Sequence, residues 1–163
     1  MLSLGIDPGT ATVGYGFVRE FSDGSLQAIK YGVITTPAGL RMAERLRMIF
    51  DELSALIEHY QPDRAAVEEM FFGKNITTAI TVAQGRGVIL LTLNQAGLPI
   101  HEYKPNSVKL SISGYGGAKK PQMQEMVRVL LGLDAIPRPD DAADALAIAI
   151  TDIHNAQYAD LTD

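Results

Sequence analysis

Four acidic side chains lie at positions where a metal-dependent reaction could use them. Asp7 ends the apolar run MLSLGID and is followed by a Pro-Gly pair, which predicts that it closes a strand. Glu68 ends a second strand-like run, RAAVE. Asp141 and Asp144 are three residues apart at the start of DDAADALAIAI, so they share one face of the predicted helix. We expect these four groups to converge on one point.

Clustered carboxylates repel one another unless positive charge lies between them, and a pair of divalent cations is the usual solution. Taken singly, some of these acids could have an ordinary structural role. An Asp before Pro-Gly can simply open a turn, and acids at a helix N-terminus stabilise the helix by about 0.3–1 kcal/mol each. Asp140 fits that role and is predicted to cap the helix, whereas Asp144 lies a full turn farther in. We therefore predict four metal ligands: Asp7, Glu68, Asp141 and Asp144.

The elements that would position these acids form a mixed α/β pattern. A three-stranded antiparallel meander is followed by a helix and then by strands that alternate with helices, which predicts a five-stranded mixed sheet with helices on both faces. The predicted strands span residues 2–7, 15–20, 27–35, 64–68 and 100–104, and the predicted helices span about 36–60, 76–95, 105–114, 121–131 and 140–158.

Pairing between the first and fourth strands decides whether the acids meet. If these strands are parallel neighbours, Asp7 lies beside Glu68. Alternation along the fourth strand places Glu68 on one face of the sheet and Glu69 on the other, so Glu68 is the predicted ligand. At 163 residues the chain fits one domain, predicted over residues 1–158, with a polar tail at 159–163 that is expected to fray.

Composition narrows the class of protein. The chain has no Cys, which excludes disulfides and thiolate metal sites, and its N-terminus lacks the pattern of a signal peptide. Its longest apolar runs fall short of a bilayer span, so we expect a soluble, cytoplasmic protein. A net charge of −5 argues against nucleic-acid binding. However, residues 70–139 carry eight basic and three acidic side chains, which could steer a polyanion or could be an ordinary solvated surface.

Six motifs follow one another along nearly the whole chain: GIDPGT, GYGFV, AVEEMFFGKN, AQGRG, GYGGAKKPQM and DDAADALAIAI. Together they resemble the RuvC family of bacterial Holliday-junction resolvases, which is similar in fold to ribonuclease H. GIDPGT alone would be weak, because actin-like ATPases and sugar kinases open with a similar strand and turn. AVEEMFFGKN and DDAADALAIAI at this spacing are much more specific.

The resemblance implies a ribonuclease H-like fold and a homodimeric endonuclease that cuts two strands of like polarity across a four-way DNA junction. It implies two Mg²⁺ (or Mn²⁺) ions per active site and the branch-migration proteins RuvA and RuvB as partners. The catalytic acids of the family fall on Asp7, Glu68, Asp141 and Asp144. Some members have His at the position of Asp141, and a carboxylate is a harder ligand, so metal preference could differ from theirs.

The resemblance also assigns DNA contacts. Its basic catalytic-region residues fall on Lys109 and Lys120, and the aromatic wedge that opens the junction falls on Phe71, with Phe72 as the substitute. An exposed ring that stacks on an unpaired base contributes about 1–3 kcal/mol, although one ring of such a pair could belong to the core.

Two further features have a functional and an ordinary interpretation. Lys74 and Lys119 are predicted to contact phosphates, yet surface lysines commonly have no such role. The helix at 76–95 carries small residues at 79, 83, 85 and 87 and would form the dimer seam of the family, or it could simply be core.

Two other classes of protein share part of this pattern. An actin-like ATP-binding protein needs a second copy of the fold with its own phosphate loop, and 163 residues leave no room for one. A non-catalytic DNA-binding module would lack one of the four acids, and all four are present. The sequence therefore favours a nuclease.

Overall fold

The computed structural model describes residues 1–70, 73 and 75–160. Five strands and five helices follow one another in the order that the sequence predicts. The strands are β1 (Leu2–Asp7), β2 (Thr12–Glu20), β3 (Leu26–Thr35), β4 (Arg64–Glu68) and β5 (Ile100–Tyr103). The helices are α1 (Met42–Tyr60), α2 (Ile76–Gln95), α3 (Pro105–Ser113), α4 (Lys120–Leu130) and α5 (Asp140–Asp160).

The strands form one sheet in the order β3-β2-β1-β4-β5. The meander β1–β2–β3 is antiparallel, whereas β4 pairs with β1 and β5 pairs with β4 in parallel. The predicted five-stranded mixed sheet is therefore confirmed. In the parallel pair, Ile6 lies opposite Val67, so the last residues of the two strands, Asp7 and Glu68, lie side by side.

Helices cover both faces of the sheet, as predicted. On one face, Leu4 and Ile6 of β1 pack against α1 and α2 through Leu53 and Ile89, all of them fully buried. On the other face, α3, α4 and α5 form a second core around β4 and β2. Since side chains alternate along a strand, the residues of β1 that do not face α1 and α2 face α5.

Helix α5 lies unusually close to the strands because glycines line the surface beneath it. A Cβ atom on Gly5 would lie 2.1 Å from the backbone oxygen of Ala145, and one on Gly14 would lie 2.0 Å from that of Asp141. Only the absence of a side chain allows this approach. The start of α5 is thereby brought directly over the end of β1.

Three boundaries differ from the predictions for local reasons. Helix α1 begins at Met42 and not near residue 36, because the Glu44 carboxylate accepts a hydrogen bond of 3.0 Å from the backbone N–H of Arg41 and so caps the helix there. Strand β2 begins at Thr12, which pairs with Thr35 of β3. Helix α5 runs on to Asp160, so the first part of the predicted tail is helical.

Helix α2 has the length and mean hydropathy, 1.4, of a membrane span, although the sequence was expected to contain none. Length and composition are weak evidence for a membrane span, since core helices of soluble proteins have the same properties. Ile89 and Leu93 of α2 are fully buried in the core that α1 shares, whereas Ile80 and Leu91 are each 54% exposed. Helix α2 is thus a core helix with one uncovered apolar side.

Candidate metal centre

Three of the four predicted acids meet at the end of β1. Asp7, Asp141 and Asp144 each offer one carboxylate oxygen, and these three oxygens lie within 4.8 Å of one another. Oxygen ligands bind Mg²⁺ at about 2.0–2.1 Å, so one cation can span such a group with small adjustments of the side chains. The predicted convergence of these residues is confirmed, while their role as ligands stays a prediction.

Glu68 lies beside this group on the neighbouring strand. It follows Val67, which is fully buried on the opposite face of the sheet, so Glu68 projects toward α5 as the alternation predicts. It lines one cavity with Asp144 and a smaller one with Asp7. The four acids thus surround one region from three elements, β1, β4 and α5. Oxygen donors without His or thiolate suit hard cations such as Mg²⁺ or Mn²⁺.

The electrostatics of the group favour a cation. Burial, followed by the negative charges of Asp144, Glu68 and Asp141, raises the pKa of Asp7 to about 8. Burial and Asp144 also raise the pKa of Glu68, against the opposing effect of Lys109. These shifts mean that the carboxylates are poorly neutralised by the surrounding protein and would gain free energy from a proton or a metal ion.

Lys120 lies at the edge of the acidic group. Its Nζ atom is 3.4 Å from Asp144 and 3.6 Å from Asp140. Burial raises the pKa of Asp144 and Lys120 opposes that rise, so the lysine partly neutralises this one acid. Lys120, the predicted catalytic lysine, is the first residue of α4, and the start of this helix therefore places it at the site.

A cavity of about 440 Å³ opens from the acids between α3, α4 and α5. Its rim carries Lys109, Lys119 and Lys120. Lys109 and Lys119 are the two predicted DNA-contacting lysines among the described residues, so both lie next to the site. Its inner wall is apolar and includes Val108 and Val127, which are nearly fully buried. A basic rim around an acidic centre suits an anionic ligand that also binds metal.

Asp140 does not cap α5, and that prediction was wrong. The backbone N–H groups of Ala142 and Ala143 donate to the carbonyl oxygen of Pro139. The Asp140 carboxylate instead pairs with Arg138 and accepts a hydrogen bond of 3.0 Å from Gln124 on α4. Local capping rules missed this because Gln124 comes from another helix.

Arg86 is a site residue that sequence reasoning did not single out, although it lies in the motif AQGRG. It lines a cavity of about 180 Å³ with Asp7 and Glu68, and it pairs with Glu102 of β5. Gly85 allows this approach, since a Cβ atom there would lie 2.7 Å from the backbone oxygen of Gly9. In the sequence, the glycines on either side of Arg86 in AQGRG were the signal that could have indicated it.

The small residues of α2 do not form one exposed stripe. Ala79 and Gly85 are buried within the chain, whereas Ala83 and Gly87 are exposed. The remaining predicted DNA contacts, Phe71, Phe72 and Lys74, lie outside the described residues.

A second charged cluster, at the opposite end of β1 and β4, was not predicted. Asp152 of α5 is fully buried and accepts hydrogen bonds from Ser3 at 2.7 Å and from Arg64 at 2.7 and 2.9 Å. Tyr103 donates a further bond of 3.0 Å, and His101 lies 3.1 Å away. These partners come from three strands, and no spacing in the sequence connects them.

A family model and individual relatives with known names both match this chain under the same description. A family model described as "Crossover junction endodeoxyribonuclease RuvC" matches residues 3–152. The crossover junction endodeoxyribonuclease RuvC of Chloroflexus aurantiacus is 62% identical over 156 residues, which is 96% of this chain and 94% of that protein. That of Heliobacterium modesticaldum is 56% identical over 158 residues, 97% of each chain.

Among solved structures, that of RuvC from Thermus thermophilus superposes with a TM-score of 0.91 at 34% identity, covering 98% of this chain and 97% of that one. The same protein in complex with a Holliday junction substrate superposes with a TM-score of 0.89 at 32% identity, covering 97% and 96% of the two chains. These matches confirm the predicted ribonuclease H-like fold.

Proposed function

Because the chain belongs to the RuvC family of crossover junction endodeoxyribonucleases, we propose that it resolves four-way DNA junctions by metal-dependent hydrolysis of phosphodiester bonds. The Thermus thermophilus structure with a Holliday junction substrate supports this substrate class. Two symmetric cuts would leave 5′-phosphate and 3′-hydroxyl ends that a ligase can seal. The observation that carries the proposal is the meeting of Asp7 of β1 with Asp141 and Asp144 of α5, with Glu68 of β4 beside them.

Four carboxylates would hold the metal. The charges of all three other acids act on Asp7, so it would be the central ligand, and Glu68, Asp144 and Asp141 would complete the set. When bound, two Mg²⁺ or Mn²⁺ ions supply an activated water and stabilise the leaving 3′ oxygen. Since a ligand must be deprotonated, the raised pKa of Asp7 couples metal binding to release of a proton.

The lysines would act on the phosphate. Lys120 pairs with Asp144, and a cation bound to that acid would leave the ammonium group available to the scissile phosphate. Lys109 lies across the same cavity next to Glu68 and would lend a second positive charge. Positive groups aimed at the phosphate stabilise charge that develops in the transition state. Lys119 and Lys74 would contact phosphates farther along the strand.

Selectivity for junctions requires two sites at a fixed separation, which a homodimer would provide. The uncovered apolar side of α2, with Ile80 and Leu91, is the surface that supports such a dimer. Phe71, or its neighbour Phe72, would stack at the opened crossover, a role that the family resemblance and the loop sequence suggest. RuvA and RuvB as partners, and a cytoplasmic location, are proposed from the family alone.

A direct test compares a labelled four-way junction with a linear duplex of the same arm sequences, in Mg²⁺, Mn²⁺ or EDTA. We expect paired, symmetric nicks in the junction, in the presence of metal only, and an intact duplex. Tight junction binding without cleavage in either metal would indicate the rival, a non-catalytic junction-binding module. Equal cutting of junction and duplex would refute the proposed selectivity.

A further inference from the structure

Asp152 links the elements that carry the metal-binding acids. Ser3, its partner at 2.7 Å, is on β1, whose other end carries Asp7. Arg64, which donates to both of its carboxylate oxygens, begins β4, whose other end carries Glu68. Asp152 itself is on α5, which carries the remaining acids. The cluster around Asp152 therefore joins, at one end, the same three elements that meet at the metal centre at the other.

The position of Asp152 along α5 allows it to fix the register of this helix against the strands. It follows Asp141 by eleven residues, about three helical turns, so both side chains point to the same side of the helix. A shift of α5 along the strands would move the acids at its start by the same amount. The contact between α5 and β1 is built from glycine backbone and small apolar side chains, including Ala145 and Ala149. Such packing sets the distance between helix and sheet, but it has little directional preference along the strands.

Directional bonds from α5 to the sheet are few. Within the described parts of the chain, side chains of α5 also bond to strands at the metal centre, where Asp141 bonds to Asp7, and near the surface, where Gln157 bonds to Glu20. Asp152, by contrast, is fully buried and bonded to three strands, and its pairing with Arg64 uses both carboxylate oxygens. A bidentate, charge-assisted ion pair fixes the relative position of two side chains more strictly than a single hydrogen bond between neutral groups.

We propose that Asp152 is a positioning residue for the metal centre. Its bonds to Ser3 and Arg64 set the register of α5 against β1 and β4, and this register holds Asp141 and Asp144 at the spacing from Asp7 that binds divalent cations. The inference rests on the proposed function only in requiring that the four acids bind metal.

The test measures metal affinity separately from stability. Binding of Mn²⁺ to the DNA-free protein is measured by titration calorimetry, and the Mg²⁺ concentration for half-maximal junction cleavage is measured in parallel. Asp152→Asn should weaken both by about tenfold, the lower end of the range for residues that orient metal ligands. The control is Leu53→Ala, which removes a fully buried side chain from the opposite core and should lower the melting temperature while leaving metal affinity unchanged.

A second variant separates positioning from stability even if Asp152→Asn folds poorly. In Arg64→Met/Asp152→Leu the ion pair is replaced by apolar side chains, a change that commonly restores or increases stability. We expect this variant to melt near the wild-type temperature and still to bind Mn²⁺ about tenfold more weakly. Wild-type Mn²⁺ affinity in the double variant would overturn the inference. If the wild-type protein itself bound no metal and cut no junction, the proposed function would fail instead.

Discussion

Carboxylates lie against both ends of the β1–β4 pair, and the protein balances their charge in opposite ways. At one end Asp152 is fully buried, and Arg64 donates to both of its oxygens. At the other end four acids share the region around Asp7, where Lys120 reaches only Asp144 among them. The first cluster is complete without a ligand. The second needs a cation that the described residues do not supply.

The pKa shifts follow this difference. Burial and neighbouring acids raise the pKa of Asp7 to about 8, so its charged form is disfavoured. Burial, together with the Asp152 carboxylate, raises the pKa of the Tyr103 phenol, which keeps it protonated as a hydrogen-bond donor. Buried charge is thus tolerated where every acceptor has a donor, and it is reactive where donors are missing. One helix, α5, therefore carries acids of the metal centre at its start and the central acid of the balanced cluster near its middle.

Removing the central acid should have the largest effect. Asp7→Asn should lower junction cleavage at least about a thousandfold, because metal ions stabilise the transition state by several kcal/mol. Junction binding should persist, and stability in EDTA should not fall, since Asn carries no charge that the neighbouring acids could repel. Cleavage assays, gel shifts and melting curves measure the reaction rate, the junction affinity and the stability. Asp51→Asn, on the exposed side of α1, is the control. Junction cleavage by Asp7→Asn within tenfold of the wild-type rate would refute the assignment of Asp7 as a metal ligand.

Breaking the balanced cluster should lower stability in addition to weakening metal binding. Arg64→Leu leaves Asp152 buried without its cationic partner and should lower the free energy of unfolding by about 3–5 kcal/mol. Urea denaturation measures this loss. Arg47→Leu is the matched control, because Arg47 pairs with Asp51 on the exposed surface of α1, where such pairs contribute about 0.5 kcal/mol or less. Equal effects of the two substitutions would show that the cluster is not a strong structural contact.

Lys120 should show opposite effects on metal binding and on chemistry. Lys120→Met removes the charge that competes for Asp144, so less Mg²⁺ should be needed for half-maximal cleavage. The maximal rate should nevertheless fall by about a hundredfold, the usual result of losing one group that stabilises transition-state charge. Single-turnover rates across a Mg²⁺ titration separate the two quantities. Lys119→Met, at the exposed rim of the cavity, should change both much less. A rate close to wild type would leave Lys120 with a purely electrostatic role in the metal-free protein.

The smallest predicted effect concerns pH. The pKa of Asp7 rises from 3.8 to about 8 in the folded protein, so the folded state binds more protons than the unfolded state between those values. The free energy of unfolding in EDTA should therefore fall as the pH rises from about 4 to 8, by roughly 1–3 kcal/mol. Urea denaturation at several pH values measures the slope. Asp7→Asn should flatten it, and an unchanged slope in that variant would assign it to other groups.

The metal centre could be predicted from the sequence more completely than the Asp152 cluster, for a physical reason. Strand ends and helical spacing are local signals, and they place Asp7, Glu68, Asp141 and Asp144 without knowledge of the tertiary structure. Asp152 has no local signal, because its partners lie near positions 3, 64 and 103 and meet it only after the sheet has formed. The capping role expected of Asp140 failed for the same reason, since a partner from α4 engages its carboxylate.

The order of the elements along the chain has a consequence for protein synthesis. Asp7 and Glu68 leave the ribosome early, whereas Asp141 and Asp144 lie on the last helix. A nascent chain that lacks α5 holds only half of the proposed ligands, and it also lacks the surface that packs on Gly5 and Gly14. If these four acids bind the metal, DNA cleavage can begin only after translation has delivered α5 and this helix has docked on the sheet.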